Sequence, residues 1–193
     1  MGRIKSALEI ALEKTSGIIG DKSGIEQFEA KQKGKKLAND YLGDPSKNIA
    51  DEIKRCPKDQ LDSFKQGLFE ALISQINLPN VPEDKARIEA AAKGLLAVIS
   101  GSRYPVLLKQ FGQIINQFLE ESAQYVEAIK RQYAPKLRQK EEELARRYGR
   151  EVRIDPFQDP EFIAFYNQNM NFLKSNYQAA VDQFREEARL AFA

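Results

Sequence analysis

The sequence contains no histidine, no tryptophan and one cysteine, Cys56, among its 193 residues. Without histidine there is no imidazole base, no triad that needs one, and no di-iron site of the Glu-x-x-His kind. One cysteine can make neither an intramolecular disulfide nor a cysteine zinc site. Cys56 stands before Pro57 with no acidic or basic pattern around it, and reads as a structural residue. No apolar run approaches the roughly 18 residues of a membrane-spanning helix. The opening MGRIKSALEIALEKT lacks the apolar centre of a signal peptide, so a cytoplasmic location is expected. A glycine-rich phosphate loop is missing too, since GSRYPVLLK has neither the spacing nor a preceding strand. Charge of one sign is also scarce. Thirty Lys and Arg against 28 Asp and Glu leave +2, too balanced for a chain-wide polyanion binder.

What is present is helical punctuation. Asp44-Pro45, Cys56-Pro57, Val81-Pro82 and Asp159-Pro160 each precede a helical pattern, where a first turn tolerates proline's missing N–H. Asp44 and Asp159 are good N-caps. Gly43, Gly101 and Gly149 close periodic runs, as C-terminal glycines do. The Met1-Gly2-x-x-x-Ser6 start satisfies the short myristoylation pattern, which carries little information and reads as a chance match.

The spacing predicts a first helix over 2–15, with Ile4, Ala7, Leu8, Ala11 and Leu12 on one stripe, and a loop over 16–24. A weaker helix is expected over 25–42; its polar middle, KQKGKK, contains Gly34 and should fray or stay exposed. A short helix at 45–55 follows. Leu61, Phe64, Leu68, Leu72 and Ile76, then Ile88, Ala92, Leu95 and Ile99, mark two helices. The two-proline NLPNVP between them predicts an αα-hairpin.

Phe111, Ile115, Phe118, Ser122, Val126, Ile129, Tyr133 and Leu137 form one face of a long helix over 104–148. Phe111 to Ile129 is 18 residues in five steps, a period of 3.6 that favours a nearly straight amphipathic helix. The face continues in phase to Leu144 and Tyr148 across Pro135, and neither Tyr133 nor Ala134 is a suitable cap for a new helix. A bent helix is therefore expected there, not a break. GREVRIDPFQDP (149–160) alternates like a strand but has no strand to pair with, so it reads as an extended connector. A final helix over 160–191 turns Phe162, Phe165, Tyr166, Leu173, Tyr177, Phe184 and Ala188 inward.

Two constellations have chemical content. Residues 130–153 hold nine Lys or Arg against four Glu. Lys136, Lys140, Arg146, Arg147, Arg150 and Arg153 are the candidate anion-binding residues. Against this, Glu142–Arg146 and Glu143–Arg147 are favourable i,i+4 pairs, and three glutamates amid the cluster would repel a polyanion. A solvated helix face is the preferred reading, so nucleic acid is not the expected partner. For a carboxylate Mg²⁺ site, which needs acid pairs on neighbouring helices, Glu121 is the nearest candidate. Asp59 and Asp62 belong to a first turn, where the helix dipole accounts for them. No catalytic, cofactor-binding or metal residue is assigned.

The stretches IKSALEIALEKT, RRYGREVRIDP and DPEF resemble an uncharacterised family of small bacterial helical proteins. That resemblance implies a bacterial, cytoplasmic setting and no catalytic motif.

The expected fold is all-α: one helical domain over 1–193, a bundle with an αα-hairpin, one proline-bent helix, and a C-terminal helix packed antiparallel to it. Within it, 1–55 are peripheral helices, 57–130 the core, 131–165 a projecting hairpin arm and 166–193 the returning helix. The expected function is non-enzymatic, a protein–protein interaction or assembly module acting through long amphipathic helices. Leu137, Leu144, Tyr148, Phe162 and Tyr166 form its candidate surface, and a homodimer or another protein is the expected partner. The alternatives are binding of anionic membrane or nucleic acid through 130–153, and an Asp/Glu-dependent Mg²⁺ enzyme.

Overall fold

The structure is a computed structural model that describes residues 22–193. The helix expected over 2–15 and the Met1-Gly2 pattern lie outside the described residues. The described chain is 79% helical, with six helices and no strand. These are α1 (Lys22–Gly43), α2 (Ile49–Arg55), α3 (Leu61–Ile73), α4 (Asp84–Gly94), α5 (Tyr104–Tyr148) and α6 (Pro160–Phe192), with 3₁₀ turns at Leu95–Ala97 and Pro156–Gln158. They form two compact units. The first takes the described residues up to Gln75 with Ala90–Val98; the second takes Ile76–Glu89 with Ile99–Ala193.

In the first unit, α1 does not fray at its middle, although Gln32, Lys33 and Lys36 there are exposed, as expected. It runs unbroken through KQKGKK, and Gly34 is buried. Ala30 (1% exposed) and Ala38 (0%) flank Gly34 at four-residue steps, which makes one smooth stripe of small residues along the helix. That stripe lies against the backbone of α3. A Cβ at Gly34 would stand 2.1 Å from the Phe64 carbonyl oxygen, and one at Gly67 would stand 2.0 Å from the Lys31 carbonyl oxygen. Only glycine permits so close an approach. Lys31 and Lys35 reach across it to Glu70 at 2.6 and 3.2 Å. Helix propensity, which a glycine among lysines lowers, takes no account of the partner helix. Tertiary contact overrides it.

One helix start and one helix end also move. The helix expected at 45 begins at Ile49, because the Asp44 carboxylate closes a turn instead. It accepts from the Ser46 N–H at 3.2 Å and the Ser46 hydroxyl at 2.6 Å, the local bonding by which Asp competes with helix. Asn48 caps α2, accepting from the Ala50 N–H at 3.0 Å. The two helices expected over 61–76 and 88–99 are shorter than the pattern: α3 is followed by α4, and the second pattern ends in the 3₁₀ turn Leu95–Ala97, with Leu68, Leu72, Ala91 and Leu95 buried in the first unit. Helix α3 ends at Ile73, and Ile76 is buried in the second unit.

In the second unit α5 and α6 run antiparallel. Their ring contacts retreat along α6 as they advance along α5: Phe111 stacks on Phe184 at 4.3 Å, Phe118 meets Tyr177 at 5.3 Å, and Tyr133 meets Phe162 at 5.3 Å. Such pairs add to the area they bury. Asn77 and Asn80 accept from Arg185 and Lys174, which ties the 76–80 segment to α6. Asp84 braces the start of α4, accepting from the Asn80 and Val81 N–H groups.

Helix α5 continues through Pro135 for 45 residues, roughly 65 Å at helical rise. Pro135 cannot donate to the Arg131 carbonyl and crowds it. Pro135→Ala is therefore expected to keep the fold and raise the melting temperature by a few degrees. A thermal melt followed by circular dichroism checks this; an unchanged or lower midpoint would contradict it. Gly149, in the left-handed region at φ 67°, ends the helix, and its N–H donates to the Ala145 carbonyl.

Candidate interaction site at the end of α5

The first residues of α6 meet α5 just past Pro135. Asp159 caps α6, its Oδ1 accepting from the Glu161 N–H at 3.1 Å, with Pro160 in the first turn. The same carboxylate is 6% exposed and does more than cap. Its Oδ2 accepts from the Tyr133 hydroxyl at 2.9 Å, and Lys140 donates to Oδ2 at 2.7 Å and to Oδ1 at 2.9 Å. Lys140 also reaches Glu161 at 2.7 Å, and Lys136 reaches it at 2.9 Å.

Electrostatics follow from this geometry. Burial alone would raise the Asp159 pKa, yet the bonds from Lys140, Tyr133 and the Glu161 N–H hold it below the ordinary carboxylate value. Bonds from Lys140 and then Lys136 lower Glu161 to about 2. Lys140 is raised by its bonds to Asp159 and Glu161, and Lys136 by its bond to Glu161. Burial and the bond to Asp159 raise Tyr133, so it remains a phenol that donates. This cluster is a fully paired clamp between α5 and α6.

Beyond the clamp α5 runs on beside the connector. The Ile154 N–H donates to Glu141 Oε1 at 2.9 Å. Between them lies an open groove of about 340 Å³, with Leu144 and Ile154 among its walls and Lys140, Glu143 and Arg147 at its sides.

The residues singled out in the sequence divide accordingly. Leu137, Leu144 and Tyr166 are half-buried, and Tyr148 is 62% exposed. Phe162 is 0% exposed and packs on Tyr133, Phe157 and Tyr166. It belongs to the unit's own core and cannot be a contact for a partner. Lys136 and Lys140 lie in the clamp, and Arg153 pairs with Glu151 at 3.1 Å. Arg146, Arg147 and Arg150 are exposed and, among the described residues, have no ion-pair partner. The expected Glu142–Arg146 and Glu143–Arg147 pairs do not form. The acids that take up the lysines come from the next element, which no count over 130–153 could reveal.

Glu121 accepts from Gln117 at 2.9 Å and is lowered by that bond and by one from Tyr177. Tyr177 is raised to about 12, by burial first and then by Glu121. Glu121 thus joins α5 to α6. No group of three or more His, Cys, Asp or Glu is placed to hold a metal ion among the described residues. The burial-raised pKa of Cys56 keeps its thiol protonated. Asp159 and Tyr133 are the residues that sequence reasoning placed without seeing their joint role. Each showed one signal, a cap before proline and a position on the apolar face, and neither signal indicates the other.

A family model described as a family of unknown function (DUF6657) matches residues 50–189, and the chain belongs to that family. The resemblance carried by RRYGREVRIDP and DPEF falls within this span. No curated protein and no solved structure matches the chain.

Proposed function

We propose that the chain is a non-enzymatic protein–protein interaction or assembly module of the bacterial cytoplasm, acting through the α5–α6 pair. One observation carries this reading. Helix α5 outruns the start of α6, and its last turns carry exposed Tyr148 beside the open Leu144–Ile154 groove. An exposed aromatic side chain continuous with an apolar-walled groove suits an association surface. No described helix is long and apolar enough to cross a membrane.

Self-association is the simplest form. Phe172 and Leu190 are exposed apolar side chains eighteen residues, and so five whole turns, apart on one face of α6, a face that a two-fold dimer would cover. Light scattering at micromolar concentration is expected to give twice the chain mass, and Phe172→Glu with Leu190→Glu to halve it without loss of helicity. A monomer mass in the parent would remove the dimer.

The second reading, an anionic membrane or nucleic acid on 130–153, draws on the unpaired arginines there. The pairing of Lys130 with Glu127, and of Lys136 and Lys140 within the clamp, weakens it.

A further inference from the structure

We propose that the end of α5 receives an acidic protein segment, with Arg146, Arg147 and Arg150 taking its carboxylates and the Leu144–Ile154 groove taking one apolar side chain. This rests on the interaction reading above and names the partner's chemistry.

The inference comes from which cations the fold neutralises. Lys130, Lys136 and Lys140 are each matched to a carboxylate of the chain. Among the described residues Arg131, Arg138, Arg146, Arg147 and Arg150 have no carboxylate partner, and the last three fall within five residues, although Glu142 and Glu143 lie one turn back from Arg146 and Arg147. Arginine is the side chain whose planar fork holds carboxylates in two parallel bonds, and clusters of it read acidic motifs. Tyr148 stands among them at the surface, and Tyr and Arg are the residues in which interface energy concentrates. The groove beside Arg147 is about 340 Å³, at the small end of ligand sites. That suits one anchoring side chain of a longer segment better than a whole ligand.

Charge also argues against the other occupants. A two-fold contact centred here would set these arginines against the same residues of the second copy, like charge on like, so the dimer axis belongs elsewhere on the helix pair. A nucleic acid presents a continuous row of phosphates, and Glu142 and Glu143 interrupt the patch. Discrete carboxylates can avoid them.

The test uses the full chain and a short fluorescent peptide of Glu and Asp around a single Phe, read by anisotropy at low and moderate salt. Two further peptides replace the acids by Gln and Asn, or the Phe by Ser. Single-stranded DNA and phosphatidylserine vesicles complete the set. The acidic Phe peptide is expected to bind best. The triple Arg146→Gln, Arg147→Gln, Arg150→Gln variant should lose about tenfold or more in affinity, and Arg131→Gln with Arg138→Gln should lose little. Leu144→Ala should erase the preference for Phe over Ser. No binding of the acidic peptide, an undiminished triple variant, or tighter binding of DNA or vesicles would overturn the proposal. Light scattering on the same samples separates the two claims. A dimer that binds no peptide removes the acidic segment and keeps the assembly reading. A monomer that binds the peptide does the reverse.

Discussion

Gly67→Ala is expected to lower the melting temperature of the first unit by about 10 °C. The added methyl group would lie 2.0 Å from the Lys31 carbonyl oxygen and 2.8 Å from its carbon. Both are backbone atoms, so no rotamer change relieves the clash. Helices α1 and α3 must part, which loosens Leu68 and Leu72 and lengthens the Lys31–Glu70 and Lys35–Glu70 contacts. Overpacking of this kind costs about 1–3 kcal/mol, occasionally more. The helix-propensity gain of alanine over glycine, about 1 kcal/mol, offsets only part of it. Gly34→Ala, with its Cβ 2.1 Å from the Phe64 carbonyl oxygen, should behave alike. Gly112→Ala is the control, because nothing lies within 4 Å of its Cβ, and there the propensity gain should raise stability. Thermal melts of the three variants decide the matter. A Gly67→Ala protein as stable as Gly112→Ala would refute the close crossing.

Asp159→Ala is expected to destabilise the second unit by about 2–4 kcal/mol, the sum of two losses. The α6 N-terminus loses its cap, typically about 1 kcal/mol. The Tyr133 hydroxyl loses its better acceptor in a buried place, a penalty of about 1–3 kcal/mol; the bond to Glu161 that remains is the longer one, at 3.3 Å. Asn48→Ala, which removes the simple cap of α2, calibrates the first term and should cost less. Adding Tyr133→Phe to Asp159→Ala should recover part of the loss, since the buried hydroxyl left with only its longer bonds is then gone. Denaturant melts of the four proteins measure each step. If Asp159→Ala costs no more than Asn48→Ala, Asp159 is a cap alone and the clamp contributes nothing.

How far the fold could be read in advance depended on the range of the signal. The α5 face from Phe111 to Tyr133 is periodic over many turns, so its helix was legible through Pro135. The Asp159-Pro160 cap lay within three residues and was legible too. Asp44-Pro45 looked the same, but Ser46 offered its hydroxyl and N–H to the carboxylate, and the turn replaced the cap. Gly34 in a run of lysines looked like a weak point, since the glycine opposite it lies 33 residues further along the chain. The small-residue stripe of Ala30, Gly34 and Ala38 was the one available sign.

The sequence by itself determined that this is an all-helical chain without the residues for histidine, disulfide or cysteine–zinc chemistry. Those properties follow from composition and from short-range periodicity, which each segment carries alone. Only the tertiary structure decided that α1 lies backbone to backbone on α3, that Phe162 is core, and that Asp159 and Glu161 neutralise Lys136 and Lys140 while Arg146, Arg147 and Arg150 have no ion-pair partner among the described residues. Each of these depends on which distant residue comes within a few ångströms. Burial and ion pairing are properties of such pairs, and no local pattern encodes the second member.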